Sequence, residues 1–182
     1  MTRRRDPERI RAALLDATTA LIVEHGLARL TVDGVARAAG VTKGGLFHHF
    51  ASKDDLIQGV LASMIEEGEA HIAALMADDP EPHGRFTRAY LNGVCGKQGP
   101  EAATSRGLCL AMLGDPALSS AWTDWVAAQV EKHAATDDNT ACAMVRLATD
   151  GIWLSSLGNS DAPPSICEEV RGGLLALTYP AT

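Results

Sequence analysis

The residues best suited to chemistry lie in VTKGGLFHHFASKDDL, positions 41–56. Thr42 can cap a short helix opening with Lys43, Gly44 and Gly45. Each glycine costs roughly 1 kcal/mol relative to alanine in a helix interior, so the pair weakens the helix. Without Cβ atoms, however, it lets the amide-bearing, partly positive helix N-terminus approach another surface closely, which suits phosphate. The adjacent His48 and His49 cannot both face one metal ion from a helix. There is no G-x-S-x-G elbow, phosphate-binding P-loop, Rossmann glycine pattern or H-E-x-x-H helix, so neither an enzyme nor a metal or cofactor is expected. Cys95, Cys109, Cys142 and Cys167 are scattered and predict buried hydrophobes with no disulfide framework.

Short elements must position this stretch. Asp6 caps a helix with Pro7 at its first position and Ile10, Leu14, Ala17 and Leu21 at helical spacing, stopped by Gly26. Thr31 opens a second helix through Ala39, ended by Gly40, and Thr42 opens a third to about His49. Two short helices joined by Gly40 form a helix-turn-helix pattern, whose second helix enters the DNA major groove. Leu46 and Phe50 read as its core, and His49 as packing within the small unit. Ser52, with Asp54 and Asp55 in the first turn, starts a helix of some 25 residues to Asp78, long enough to link two halves of the molecule. Breaks at DDPEPHG (78–84), GKQGP (96–100), GDP (114–116), ATDDN (135–139) and GNSDAPP (158–164) separate further helices, the last ending near Leu177. With no alternating strand pattern, the expectation is an all-α fold of about nine helices.

Charge divides the chain near residue 50. Residues 1–50 hold eight Lys or Arg against five Asp or Glu, a net +3, while residues 51–182 hold eight against eighteen, a net −10. A basic quarter on an acidic body presents one local face to phosphates. The expected domains are 1–51, for DNA, and 52–182, a helical body. No apolar run reaches the roughly 18 residues of a membrane span, and MTRRRDPERI lacks a signal-peptide core, so a soluble cytoplasmic protein without a membrane partner is expected.

The stretch 41–56 resembles the signature of TetR-family transcriptional regulators, and LTVDGVARAAG and ALLDATTALIVEHG extend the resemblance over about residues 8–60. DPALSSAW and LATDGIWLSSL are similar to segments in a subset containing multidrug-responsive repressors. The resemblance implies three helices for DNA and the rest for dimerisation and a ligand pocket. It implies that Thr42 and Lys43 begin the recognition helix, that Gly44 permits close approach, and that His48 reaches the backbone or a base edge. Lys53 would pair with a phosphate, as would Thr31 at the start of the second helix. Gly45 replaces a common Ser or Thr and Phe47 a usual Tyr, leaving readout to Lys43 and His48, with Phe47 touching a thymine methyl. Arg3, Arg4 and Arg5 are either a DNA-binding arm or a solvated tail.

In the body, Trp122, Trp125 and Trp153 cluster in sequence and are joined by Phe86, Tyr90, Met112 and Met144 as ligand-wall candidates, with core packing the competing role. Asp115, Asp124 and Asp150 lie close to them in sequence, and a carboxylate at an aromatic wall favours a flat or amphiphilic cation, with a helix cap the competing role of Asp115. The resemblance implies that the last two helices pair with a second copy, with Arg146, Leu147, Leu157, Leu174 and Leu175 as candidates, unless they close the monomer core. The expected partners are therefore a double-stranded DNA operator, a small-molecule inducer and a second copy, in a repressor of efflux or detoxification genes. Control of a metabolic operon, and DNA binding without any small-molecule ligand, are the alternatives.

Overall fold

The computed structural model describes residues 6–96, 107–110, 113–156 and 168–180. Arg3, Arg4, Arg5, Met112, Leu157, Cys167 and most of the GKQGP break lie outside them. The described residues are helical, without strands: α1 (Pro7–His25), a 3₁₀ turn (Leu27–Arg29), α2 (Val32–Ala38), α3 (Lys43–Phe47) and α4 (Lys53–Ala77) come first. Then follow α5 (Arg85–Gly96), helical residues at 107–110, α6 (Pro116–Lys132), α7 (Ala134–Asp137), α8 (Thr140–Ser156) and α9 (Glu168–Ala176). No described helix is long and apolar enough to cross a membrane.

The N-terminal helices start where their caps dictate. Asp6, Thr31, Thr42 and Ser52 each accept a hydrogen bond from an amide two or three residues on, at 3.2, 3.1, 3.0 and 3.0 Å. Losing such a cap costs about 1 kcal/mol. Gly40 has φ +68°, a left-handed conformation that only glycine adopts cheaply, and it sets the turn between α2 and α3. Leu14, Ile22, Val35, Leu46, Phe50 and Leu56 are buried together beneath these helices, and each such side chain contributes about 1.5–3 kcal/mol of transfer free energy.

A second core gathers Ile72, Phe86, Ala89 and Tyr90, with Leu75, Met76, Trp122 and Trp125 packed on it. The 25 residues of α4 span about 37 Å and enter both cores: Leu56, Ile57, Val60 and Leu61 the first, Ile72 the second. The expected break at 135–139 is corrected: it contains the single turn α7. Buried Asp137 holds that turn, because its Oδ1 accepts from the Thr87 amide at 2.8 Å and the Thr87 hydroxyl at 2.7 Å.

Candidate nucleic-acid interface and aromatic site

The helix-turn-helix residues present a surface and not a cavity. Thr42, Lys43, Gly44, Phe47 and His48 are exposed, whereas Leu46 and Phe50 are buried and His49 is half-buried, the division expected from sequence. A Cβ on Gly44 would meet nothing within 4 Å, so this point of α3 is bare helix backbone facing open space. The Thr31 and Thr42 hydroxyl oxygens accept from the Gly34 and Gly45 amides, leaving both O–H groups to donate to a phosphate oxygen. Lys53 Nζ donates to the Leu27 carbonyl at 3.3 Å, which aims its remaining protons from the start of α4. Lys43 Nζ pairs with Asp33 at 3.2 Å, both side chains being more than half exposed. Asp33 is therefore an acidic residue within the basic face, with no signal in the spacing of the basic residues.

The second constellation is aromatic. Phe86 and Tyr90 lie with centroids 6.1 Å apart, Tyr90 and Trp122 6.4 Å, and Trp122 and Trp125 4.9 Å, making one continuous wall. Phe86 and Tyr90 are fully buried and form its back, while Trp122, Trp125 and Trp153 are half-buried. Tyr90 Oη donates to Asp150 Oδ1 at 2.5 Å, joining α5 to α8 across 60 residues of sequence. Desolvation pushes the Asp150 carboxyl above its ordinary range, and the Tyr90 hydrogen bond and the Arg146 charge pull it only partly back. Burial, then the hydrogen bond and charge of Asp150, push the Tyr90 phenol up as well, so it remains a donor. The Trp125 indole N–H is buried without a hydrogen-bond partner, although such a donor normally finds one.

Two polar knots had no signal in sequence spacing. Arg146 is 8% exposed and donates to the Thr87 hydroxyl at 2.9 Å and the Asp137 carbonyl at 3.2 Å, so it turns into the chain, which is the monomer-core role of the two that the sequence left open. Arg88 pairs with Asp79 at 2.7 Å, donates to the carbonyls of Glu81, His83 and Thr178, and lies 4.3 Å from the Tyr179 ring centroid. A lone arginine within the apolar run FTRAYL was the one available hint of such a clamp. On the opposite side of α8 and on α9, Met144, Leu147, Leu154 and Val170 are exposed, Leu147 at 71%, with Leu174 and Leu175 half-buried nearby in the chain. Among the described residues no group of three His, Cys, Asp or Glu could hold a metal ion, and Cys95 and Cys142 are free thiols.

Residues 14–60 match the family model of bacterial regulatory proteins, tetR family, and residues 84–179 match that of the Tetracyclin repressor-like C-terminal domain. The regulator BetI 2 of Chromohalobacter salexigens is 35% identical over 97 residues, 48% of this chain and 47% of that protein. The repressor KstR2 of Rhodococcus jostii is 39% identical over 57 residues, 31% of this chain and 28% of its own. The alignments thus span half or less of these curated relatives. The multidrug binding protein EbrR, solved with imidazole, is 30% identical with a TM-score of 0.69, covering 100% of this chain and 96% of that one. Its structure with malachite green gives 28% identity and a TM-score of 0.74, covering 93% and 98%.

Proposed function

The chain belongs to the TetR family of transcriptional regulators, and from that premise we propose that it is a ligand-responsive repressor, binding a palindromic operator as a homodimer and released by a small amphiphilic cation. The observation that carries the proposal is α4, whose two ends lie in different cores. A ligand that favours one arrangement of the aromatic core changes the tilt of this helix, and with it the placement of α3. In a dimer the two α3 helices must meet successive major grooves, about 34–36 Å apart, so a small tilt lowers operator affinity.

In this proposal residues 1–51 bind DNA and residues 52–182 bind ligand and partner. Thr31, Thr42, Lys43, Gly44, Gly45, Phe47, His48 and Lys53 meet the operator. Tyr90, Trp122, Trp125, Trp153 and Asp150 receive the inducer over the buried Phe86: the carboxylate favours a cation, the rings a flat one, and the unpartnered Trp125 N–H an acceptor on it. The multidrug binding protein EbrR, in its complex with malachite green, supports that class of ligand, and efflux or detoxification genes are the targets proposed with it. Leu147, Leu174 and Leu175, with Met144 and Leu154, form the dimer contact, and Arg146 braces it from within.

The test is a band shift with the chain's own upstream DNA at fixed salt, repeated with cationic dyes and neutral aromatic compounds. A specific shift released by dyes and not by the neutral compounds is expected. A specific shift that no compound releases would overturn the cationic inducer, and no specific shift would overturn operator binding.

A further inference from the structure

A half-open cleft of about 530 Å³ separates the C-terminal half of α1 from the middle of α4 and is closed by Leu108 of the body. Its volume falls within the range that holds drug-sized molecules. Leu15, Met64 and Leu108 give it an apolar floor, and Asp16, Glu24 and Glu67 stand around it, with no basic residue in the lining. The Ser63 hydroxyl donates to Glu67 at 3.4 Å, and Glu24 meets His25 Nε2 at 3.6 Å outside the lining, so these carboxylates have no Lys or Arg neutralising them among the described residues. The closure is tight: a Cβ on Gly107 would lie 3.1 Å from the Val23 side chain, which fixes the cleft's third wall against α1.

We propose that this cleft is a binding site for an amphiphilic organic cation, apart from the aromatic site. An apolar face of the ligand covers Met64 and Val23, which otherwise meet water over the buried Leu15 and Leu108, and its charge sits among three carboxylates with no Lys or Arg in the described lining. A molecule held there touches the first helix of the DNA-binding unit, the linking helix and the body together. The inference stands on the cleft alone, whether or not Tyr90, Trp122 and Trp125 take an inducer.

Two methionines make the test site-specific, since Met64 lines the cleft and Met76 packs on the aromatic core. With the full chain ¹³C-labelled at methionine methyls, titration with tetraphenylphosphonium should shift Met64 saturably. The neutral analogue triphenylphosphine oxide should do so at least fivefold more weakly. The double variant D16N/E67Q should lose roughly five- to twentyfold in the affinity reported by Met64, at about two- to fivefold per surface carboxylate. Ala20 is exposed and lines the cleft, so Ala20→Trp fills it without disturbing the core, and should abolish the Met64 shift while leaving any Met76 response in place. The inference is overturned by an unmoved Met64, by equal binding of the neutral analogue, or by a Met64 response that survives Ala20→Trp. Loss of the Met76 response alone would count against the aromatic site and not against the cleft.

Discussion

Gly44→Ala should move stability and operator affinity in opposite directions. In the free protein the new methyl meets nothing within 4 Å, so it fits without strain. Gly44 is the second residue of α3, and replacing glycine by alanine in a helix gains up to about 1 kcal/mol, less in a first turn, so a gain near 0.5 kcal/mol is expected. For a chain of this size that is a rise of about 1–2 °C in Tm. On the operator the same methyl stands between bare backbone and phosphate, and forcing a methyl into a packed contact costs about 1–3 kcal/mol, a roughly five- to hundredfold loss per half-site. Fluorescence anisotropy on upstream DNA at one salt concentration and a circular dichroism melt give the two numbers. Undiminished affinity with raised Tm would refute the close approach of α3. Gly45→Ala is not an equivalent test, because its Cβ would lie 3.2 Å from Thr42 Oγ1 and press on the cap itself.

Lys43→Ala and Lys53→Ala should each weaken operator binding and lower the salt slope by about 1 while leaving the helical signal unchanged, and unchanged affinity in both would remove these phosphate contacts. Asp33→Asn releases Lys43 from an exposed pair worth at most about 1 kcal/mol, so operator affinity should rise by up to about fivefold; a fall would mean that Asp33 positions Lys43 for DNA. Leu147→Glu places a charge on a 71% exposed leucine, and light scattering should find a monomer with unchanged circular dichroism, whereas a persistent dimer would move the interface elsewhere. Because the Asp150 carboxyl titrates above its ordinary range, a cationic inducer should bind more tightly as pH rises through that raised value and the carboxylate forms. Calorimetry over a pH series should lose this dependence in Asp150→Asn, and an identical profile in the variant would assign the titration to another group.

The DNA-binding unit was legible because what shapes it is local. Asp6, Thr31, Thr42 and Ser52 each bond an amide within three residues, so identity and spacing suffice to place four helix starts. The body is held by pairs far apart in sequence: Tyr90 with Asp150, Thr87 with Asp137, Arg88 with Thr178. No spacing rule reaches across 50 to 90 residues. Arg146 and Leu147 make the difference concrete, since successive residues on a helix are rotated by about 100° and only one of the two can face the core. From sequence the apolar run 141–157 leaves both residues the same two roles, although a leucine is ordinarily the easier of the two to bury. The reverse holds because Thr87 and Asp137 form a buried polar socket that satisfies a guanidinium, and a satisfied buried charge leaves the leucine free to cover another surface. The same α8 thus turns an arginine inward against α5 and a leucine outward. A ligand that shifts Asp150 against Tyr90 therefore acts on the helix that also presents Leu147, so inducer affinity and dimer affinity should change together in Tyr90→Phe.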